Sequence, residues 1–197
     1  NDRLAELGYP TKRIERFTQR DLAFRTRVAP AKANLAATAA LEHFTATLAE
    51  LLLTNEEARN MFGHDGVRDL FVWHALEESE HKAVAFDVYK AVGGSERMRV
   101  WTMKSNRFGF VAGLLLQIAV ALLFDRSTYR RGGLRRSLAG FRRSPLISKD
   151  LWQQLRDYDR PDFHPDDRDT TELVEQWRTE LFGPEGTLNG NLLKATA

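Results

Sequence analysis

The stretch Ala31–Thr54, which reads AKANLAATAALEHFTATLAELLLT, decides the fold of this chain. Its alanines and leucines recur at intervals of three and four residues, the period of an α-helix, and its few charges indicate a helix buried on most sides. A second helical pattern covers residues 67–91 and stops at Gly93 and Gly94. The polar segment 55–66 separates the two patterns, so the sequence predicts a pair of long antiparallel helices.

The rest of the chain also has a helical period and lacks the alternating β-branched runs of strands. We therefore predict a single all-α domain over residues 1–197, with further helices at 2–7, 11–28, about 106–124 and about 148–182. The chain begins with Asn1 rather than Met, and we expect it to be the C-terminal part of a longer protein.

The composition excludes several kinds of site. None of the 197 residues is cysteine, which excludes disulfides, cysteine-ligated metal sites and thiolate nucleophiles. Any metal must therefore be held by histidine, aspartate and glutamate. The 29 basic and 27 acidic residues leave a net charge of +2, which is too small to indicate a partner. The first nine residues lack the apolar core of a signal peptide, and we expect a cytoplasmic protein.

One segment of the second helix, WHALEESEHK, combines histidines and carboxylates at helical spacing. At about 100° per residue, His74, Glu78 and His81 fall within about 60° of one another, and Glu77 lies at the edge of this group. The stripe continues with apolar residues, so we expect it to face the interior. Burying two imidazoles and a carboxylate is costly unless something pairs them, and an ion of iron, manganese or zinc does so.

A lone glutamate, Glu42, lies on a stripe of small and mostly apolar residues in the first helix. If the connection turns at Asn60, Glu42 and Glu78 each lie eighteen residues from the turn and at the same height. A glutamate facing a Glu-x-x-His motif is half of the ligand set of ferritin-like di-metal bundles. Thr38 and Thr45 flank Glu42, however, and a hydroxyl could bind its carboxylate without a metal.

These positions predict a ferritin-like helical bundle with antiparallel long helices, in which residues 31–91 carry the metal site. The candidate metal ligands are Glu42, His74, Glu78 and His81, and the candidate catalytic residue is Glu77. The alternative is a solvated helix surface on which these residues bind no metal. His43 points about 100° away from Glu42, which favours a packed core histidine over a support for the metal ligands.

The run HALEESEHKAVAFDVY, from His74 to Tyr89, resembles the bacterial family described as predicted metal-dependent hydrolases. So do EHFT from Glu42, the opening residues up to Tyr9 and FHP from Phe163. The resemblance implies the same four metal ligands, and a likeness to ferritin-like di-iron proteins that include N-oxygenases with an extra histidine ligand. Members of this family carry about two further helices upstream, which would supply the other ligands. We expect a longer natural chain, and alternatively a homodimer that pairs two half-sites.

The apolar run FGFVAGLLLQIAVALLF, at residues 108–124, is slightly short for a transmembrane helix and contains Gln117. It favours a buried bundle helix. The alternative is peripheral membrane contact through residues 108–143, because seven arginines and no acidic residue lie between Arg126 and Arg143. Few aromatic residues alternate with these arginines, so we expect no nucleic-acid partner.

The sequence therefore predicts a metal-dependent enzyme with two irons, or with manganese or zinc instead. The metal would activate water for hydrolysis or O2 for oxidation. The apolar surroundings of Glu42 indicate a hydrophobic small-molecule substrate. Two other classes of protein fit the same residues: a ferritin-like protein that stores metal without turnover, and a membrane-peripheral structural protein in which the histidines and glutamates form a polar network.

Overall fold

A computed structural model describes residues 11–124 and 139–192, and all regular structure in these ranges is helical. The prediction of an all-α fold is confirmed. The helix predicted at residues 2–7 and most of the arginine-rich segment lie outside the described residues. Numbered in chain order, the helices are α1 (Thr11–Val28), α2 (Ala31–Thr54), α3 (Glu56–Arg59), α4 (Asp65–His81), α5 (Val84–Ala91), α6 (Glu96–Phe124), α7 (Lys149–Asp157), α8 (Thr171–Phe182) and α9 (Asn189–Leu192).

Helix α2 is the centre of the packing and contacts α4, α5, α6 and α7. Its alanines make this possible, since Ala36, Ala39 and Ala40 are almost fully buried and let neighbouring helices approach closely. One core cluster joins α2, from Ala36 to Phe44, to aromatic side chains of other elements that include Phe86 and Tyr158. A second, leucine-rich cluster covers the end of α2 and is formed with α4 and α8.

The second predicted helix is interrupted in the structure. Helix α4 ends at His81 and α5 begins at Val84, so the prediction of one continuous helix over residues 67–91 is wrong. The interruption lies where the carboxylate of Glu42, on α2, accepts a hydrogen bond from the backbone amide of Ala85. A side chain from the neighbouring helix thus binds the first turn of α5.

The predicted stop at two glycines is confirmed, because both glycines are required at the turn after α5. Gly93 has a φ of +72°, a conformation that other residues rarely adopt. A Cβ atom on Gly94 would lie 2.3 Å from the ring of Tyr89, which is fully buried. The turn reverses the chain and starts α6.

Helix α6 begins at Glu96, ten residues before the predicted start, and its apolar half is not buried. Phe108 is 77% exposed and Leu116 is 65% exposed, so the prediction of a buried bundle helix is wrong for the side chains that the structure describes. One face of α6 packs on α2, and the opposite face stays open. No helix within the described ranges combines the length and the apolarity needed to cross a membrane.

A buried arginine, Arg99, joins α6 to the C-terminal segment. Its guanidinium donates hydrogen bonds to the backbone carbonyls of Tyr158 and Arg160 and to the carboxylate of Glu96. It also lies 4.8 to 5.9 Å from the ring centroids of Phe86, Tyr158 and Phe163. Because a guanidinium remains charged at all ordinary pH values, its burial requires these partners together.

We predict that Arg99→Ala lowers the free energy of unfolding by about 3 kcal/mol or more, because it leaves the buried carbonyl of Tyr158 without a donor and opens a cavity. Arg97→Ala is the matched control on the same helix, since Arg97 is exposed, and it should change stability by less than about 0.5 kcal/mol. Urea denaturation followed by circular dichroism measures both values. A loss below about 1 kcal/mol for Arg99→Ala would contradict this account of the core.

Candidate metal centre

The centre of the candidate site is Glu78, whose two carboxylate oxygens both have partners. The hydroxyl of Thr45, on α2, donates to Oε2 at 2.5 Å. The Nε2 atom of His74, one turn earlier on α4, lies 3.3 Å from Oε1. The carboxylate is therefore oriented from two helices, and its side chain is only 25% exposed.

Glu42 lies on the same side of α2, but its carboxylate is directed to α5. Its Oε2 atom accepts the amide of Ala85 at 3.1 Å, a favourable place for a negative charge because it is the first turn of a helix. Glu78 contacts Thr45, which lies three residues beyond Glu42 on α2. That Glu42 and Glu78 lie at about the same height stays a prediction.

The stripe that was expected to face the interior is open to solvent. His74 is 54% exposed, His81 is exposed, and Glu77 is 45% exposed with Oε2 at 4.0 Å from Nδ1 of His74. Beside these polar side chains, Leu41 is 56% exposed and Phe71 is 46% exposed. The prediction of a buried stripe is wrong because no helix in the described part of the chain packs over this side of α2 and α4.

The structure brings together some of the candidate ligands and separates others. His74 and Glu78 are in contact, Glu42 is bound to a backbone amide, and His81 makes no contact with the other three. Within residues 11–124 and 139–192, no three histidine, aspartate or glutamate side chains are placed to hold one metal ion. The donor types suit iron, manganese or zinc, so the residues fit part of a metal site.

Two contacts of this site carry different amounts of sequence signal. Thr45 lies three residues from Glu42 on a helix, and its hydroxyl binds the carboxylate of Glu78 and not that of Glu42, as the sequence had allowed. The contact with the backbone amide of Ala85 could not be predicted from any residue type in the sequence. Its role follows from the interruption between α4 and α5, which the sequence pattern did not indicate.

His43 is a packed core histidine, as the sequence favours. Its Nε2 atom donates to the backbone carbonyl of Gln154 at 3.2 Å, and its ring lies 5.0 and 4.9 Å from the rings of Tyr158 and Phe163. Burial lowers the pKa of His43 to about 4, and the charges of nearby arginines act in the same direction. The imidazole is therefore neutral at pH 7.

We predict that acid destabilises the fold through His43. Between its unfolded pKa of about 6.5 and its folded pKa of about 4, the unfolded chain binds more protons than the native chain. Stability is thus lost as the pH falls through this window, by roughly 3 kcal/mol in total. His43→Phe, which keeps an aromatic ring in the cluster, should abolish this part of the pH dependence. Urea denaturation at pH 7 and pH 4.5 gives the free energy of unfolding of both proteins. An equal loss of stability between these two pH values in the unaltered chain and in His43→Phe would contradict the prediction.

We predict that Glu42→Ala destabilises the chain by about 1 kcal/mol, because the amide of Ala85 loses its acceptor. Glu42→Gln keeps an oxygen that can accept the same hydrogen bond, and it should cost less than half as much. Thermal unfolding of the metal-free chain compares the two variants. An equal loss in both would show that the negative charge, rather than the hydrogen bond, stabilises the start of α5.

Comparison with known proteins adds one match. A family model described as predicted metal-dependent hydrolase matches residues 1–169 of this chain. The matched range contains all five candidate site residues. No curated protein and no solved structure matches the chain.

Proposed function

The chain belongs to the family of predicted metal-dependent hydrolases, and we propose that it holds a divalent metal on the open face of α2 and α4. The observation that carries this proposal is the placement of Glu78. Its carboxylate is held by Thr45 from one helix and lies beside His74 of its own helix. A metal ligand oriented in this way requires little rearrangement to bind.

The ligands that we propose are Glu42, His74, Glu78 and His81. One oxygen of Glu42 accepts the amide of Ala85, and its other oxygen has no partner among the described residues. His81 ends α4 and is exposed. Each of these side chains therefore keeps at least one atom that can bind a metal.

The chemistry that we propose is hydrolysis. When bound, a divalent metal makes a coordinated water more acidic, which is what hydrolysis requires. Glu77 is half exposed on the same face, and its carboxylate is our candidate proton acceptor. Leu41, one residue before Glu42, and Phe71, three residues before His74, are exposed, and we propose that they contact a hydrophobic substrate.

We propose iron as the metal, because glutamate and histidine on a helical pair are the ligands of ferritin-like di-iron sites. With iron, the second candidate function is oxidation of the substrate by O2, which the presence of two histidines on one stripe favours. A chain that binds iron but has neither activity would be a storage protein, and an activity assay separates this third case.

We propose that the remaining ligands come from outside the described helices. The apolar side chains beside the site are about half exposed, as expected for a surface that another element covers. Residues upstream of this sequence or a second copy of the chain would serve. Sedimentation velocity with and without metal distinguishes them, because pairing of half-sites requires a metal-dependent dimer.

Metal binding tests the proposal directly. We predict that the chain, purified without chelators or metal-affinity resin, binds Fe²⁺ in anaerobic titration, and that Glu78→Gln and His74→Ala each weaken binding at least tenfold. Thr45→Val should weaken it several-fold, because it removes the group that orients Glu78. Controls are Glu80→Gln and His64→Ala, since Glu80 pairs with Arg178 and His64 caps the start of α4.

The outcomes separate the three functions. Bound metal with release of product from chromogenic esters of apolar acids supports the hydrolase, and O2 consumption supports the oxidase. Metal with no turnover supports storage. Binding that is unchanged in Glu78→Gln and His74→Ala, while both variants remain folded, would overturn the metal site.

A further inference from the structure

A cavity of about 230 Å³ lies between α2, the end of α4 and the segment from Gln154 to Thr170. It shares no residue with the candidate metal centre. Its wall on α2 contains His43 and Glu50, which lie about 100° and about 80° around the helix from Glu42. The cavity therefore faces a different direction from the metal site, and it is the part of the structure that the proposed function does not use.

The cationic side chains that line this cavity already have partners. The Nε atom of Arg168 donates to Glu50 at 2.6 Å, and a terminal nitrogen of Arg160 donates to Asp167 at 2.7 Å. Lys82 donates to the carbonyl of Arg168 at 2.6 Å and to the hydroxyl of Thr170 at 3.1 Å. An anionic ligand would meet two arginines whose charges Glu50 and Asp167 already balance.

The unused hydrogen-bonding capacity consists of acceptors. The carboxylate of Asp157 has no hydrogen bond or ion pair with any residue that the structure describes, and it is only partly exposed. His43 uses Nε2 to donate to the carbonyl of Gln154, so the neutral ring leaves Nδ1 as an acceptor, and that atom has no partner in the described ranges. Neither acceptor has a donor from the described residues, so both are available to a ligand.

The cavity also has an apolar wall. Ala46, Phe163 and Pro165 line it, and the ring of Phe163 is fixed by its contacts with His43 and Tyr158. The volume is below the range of typical drug-sized ligand pockets, so a ligand must be small. A molecule with a short apolar stem and a charged donor group matches the wall and the acceptors together.

We propose that this cavity binds a small aliphatic amine in its ammonium form, with the ammonium directed to Asp157 and the aliphatic part against Phe163. An ammonium group supplies three hydrogen-bond donors and a positive charge, and Asp157 has no cationic partner among the described residues. The cavity shares no residue with the candidate metal centre and faces another direction from α2, so the two proposals stand or fall separately.

The experiment uses ethanolamine as the probe and the metal-free chain in the presence of a chelator. Backbone amide NMR shifts are followed during titration, with ethylene glycol as the uncharged analogue and acetate and phosphate as anions. We expect ethanolamine to shift the amides around Asp157 and Phe163 with millimolar affinity. Asp157→Asn should weaken binding at least tenfold, whereas Asp150→Asn, on the same helix but outside the cavity, should change it less than twofold.

Several outcomes would overturn the proposal. These are the absence of saturable shifts with ethanolamine, equal binding of ethylene glycol, preferred binding of acetate or phosphate, and unchanged affinity in Asp157→Asn. If Asp157→Asn does not fold, the map of shifted amides in the unaltered chain decides, because shifts outside residues 43–50, 79–82 and 154–170 place the amine elsewhere and reject the cavity.

Discussion

The interaction on which the rest of the structure depends is the burial of Arg99. Its guanidinium is excluded from solvent and satisfied by two backbone carbonyls, by Glu96 and by aromatic rings. Burial alone would raise the pKa of Glu96, but hydrogen bonds from Lys90 and Arg99 hold it below its usual value, so the pair stays ionised. A charge that cannot be neutralised fixes the C-terminal segment against α6, because any other position of that segment would leave it unpaired.

Through the segment that Arg99 fixes, the same constraint reaches helix α2. Tyr158 and Phe163, which contact the guanidinium, also contact the ring of His43. The packing of His43 sets the rotation of α2 about its axis. Glu42 precedes His43 by one residue and therefore lies about 100° around the helix from it. Because His43 faces the C-terminal segment, Glu42 and Thr45 face α4 and α5. The core thus determines which side of α2 is available for a metal.

The sequence predicted the helices better than it predicted their surroundings. The bounds of α1 and α2 agree with the expected ones, because the helical period and the flanking prolines and Asn55 are local signals. The interruption before α5 depends on Glu42 and Ala85, which are 43 residues apart, and no local pattern contains such a contact. Likewise, their spacing puts His74 and His81 on one stripe of the helix. Whether that stripe is buried depends on whether another element packs over it, and helical periodicity does not indicate this.

The contact between His74 and Glu78 would by itself be weak support for a metal site, since exposed pairs four residues apart on a helix are common and contribute little. Thr45 makes the difference, because it lies on another helix and donates to the carboxylate oxygen that faces away from the imidazole. A glutamate held only for its charge would gain more by remaining hydrated. Orientation from a second helix is instead what a ligand requires when its lone pairs must point in a given direction. Glu42 is also bound by a donor from another helix, the backbone amide of Ala85 on α5. The proposal of half a metal centre therefore rests on two carboxylates that are each oriented by a neighbouring helix.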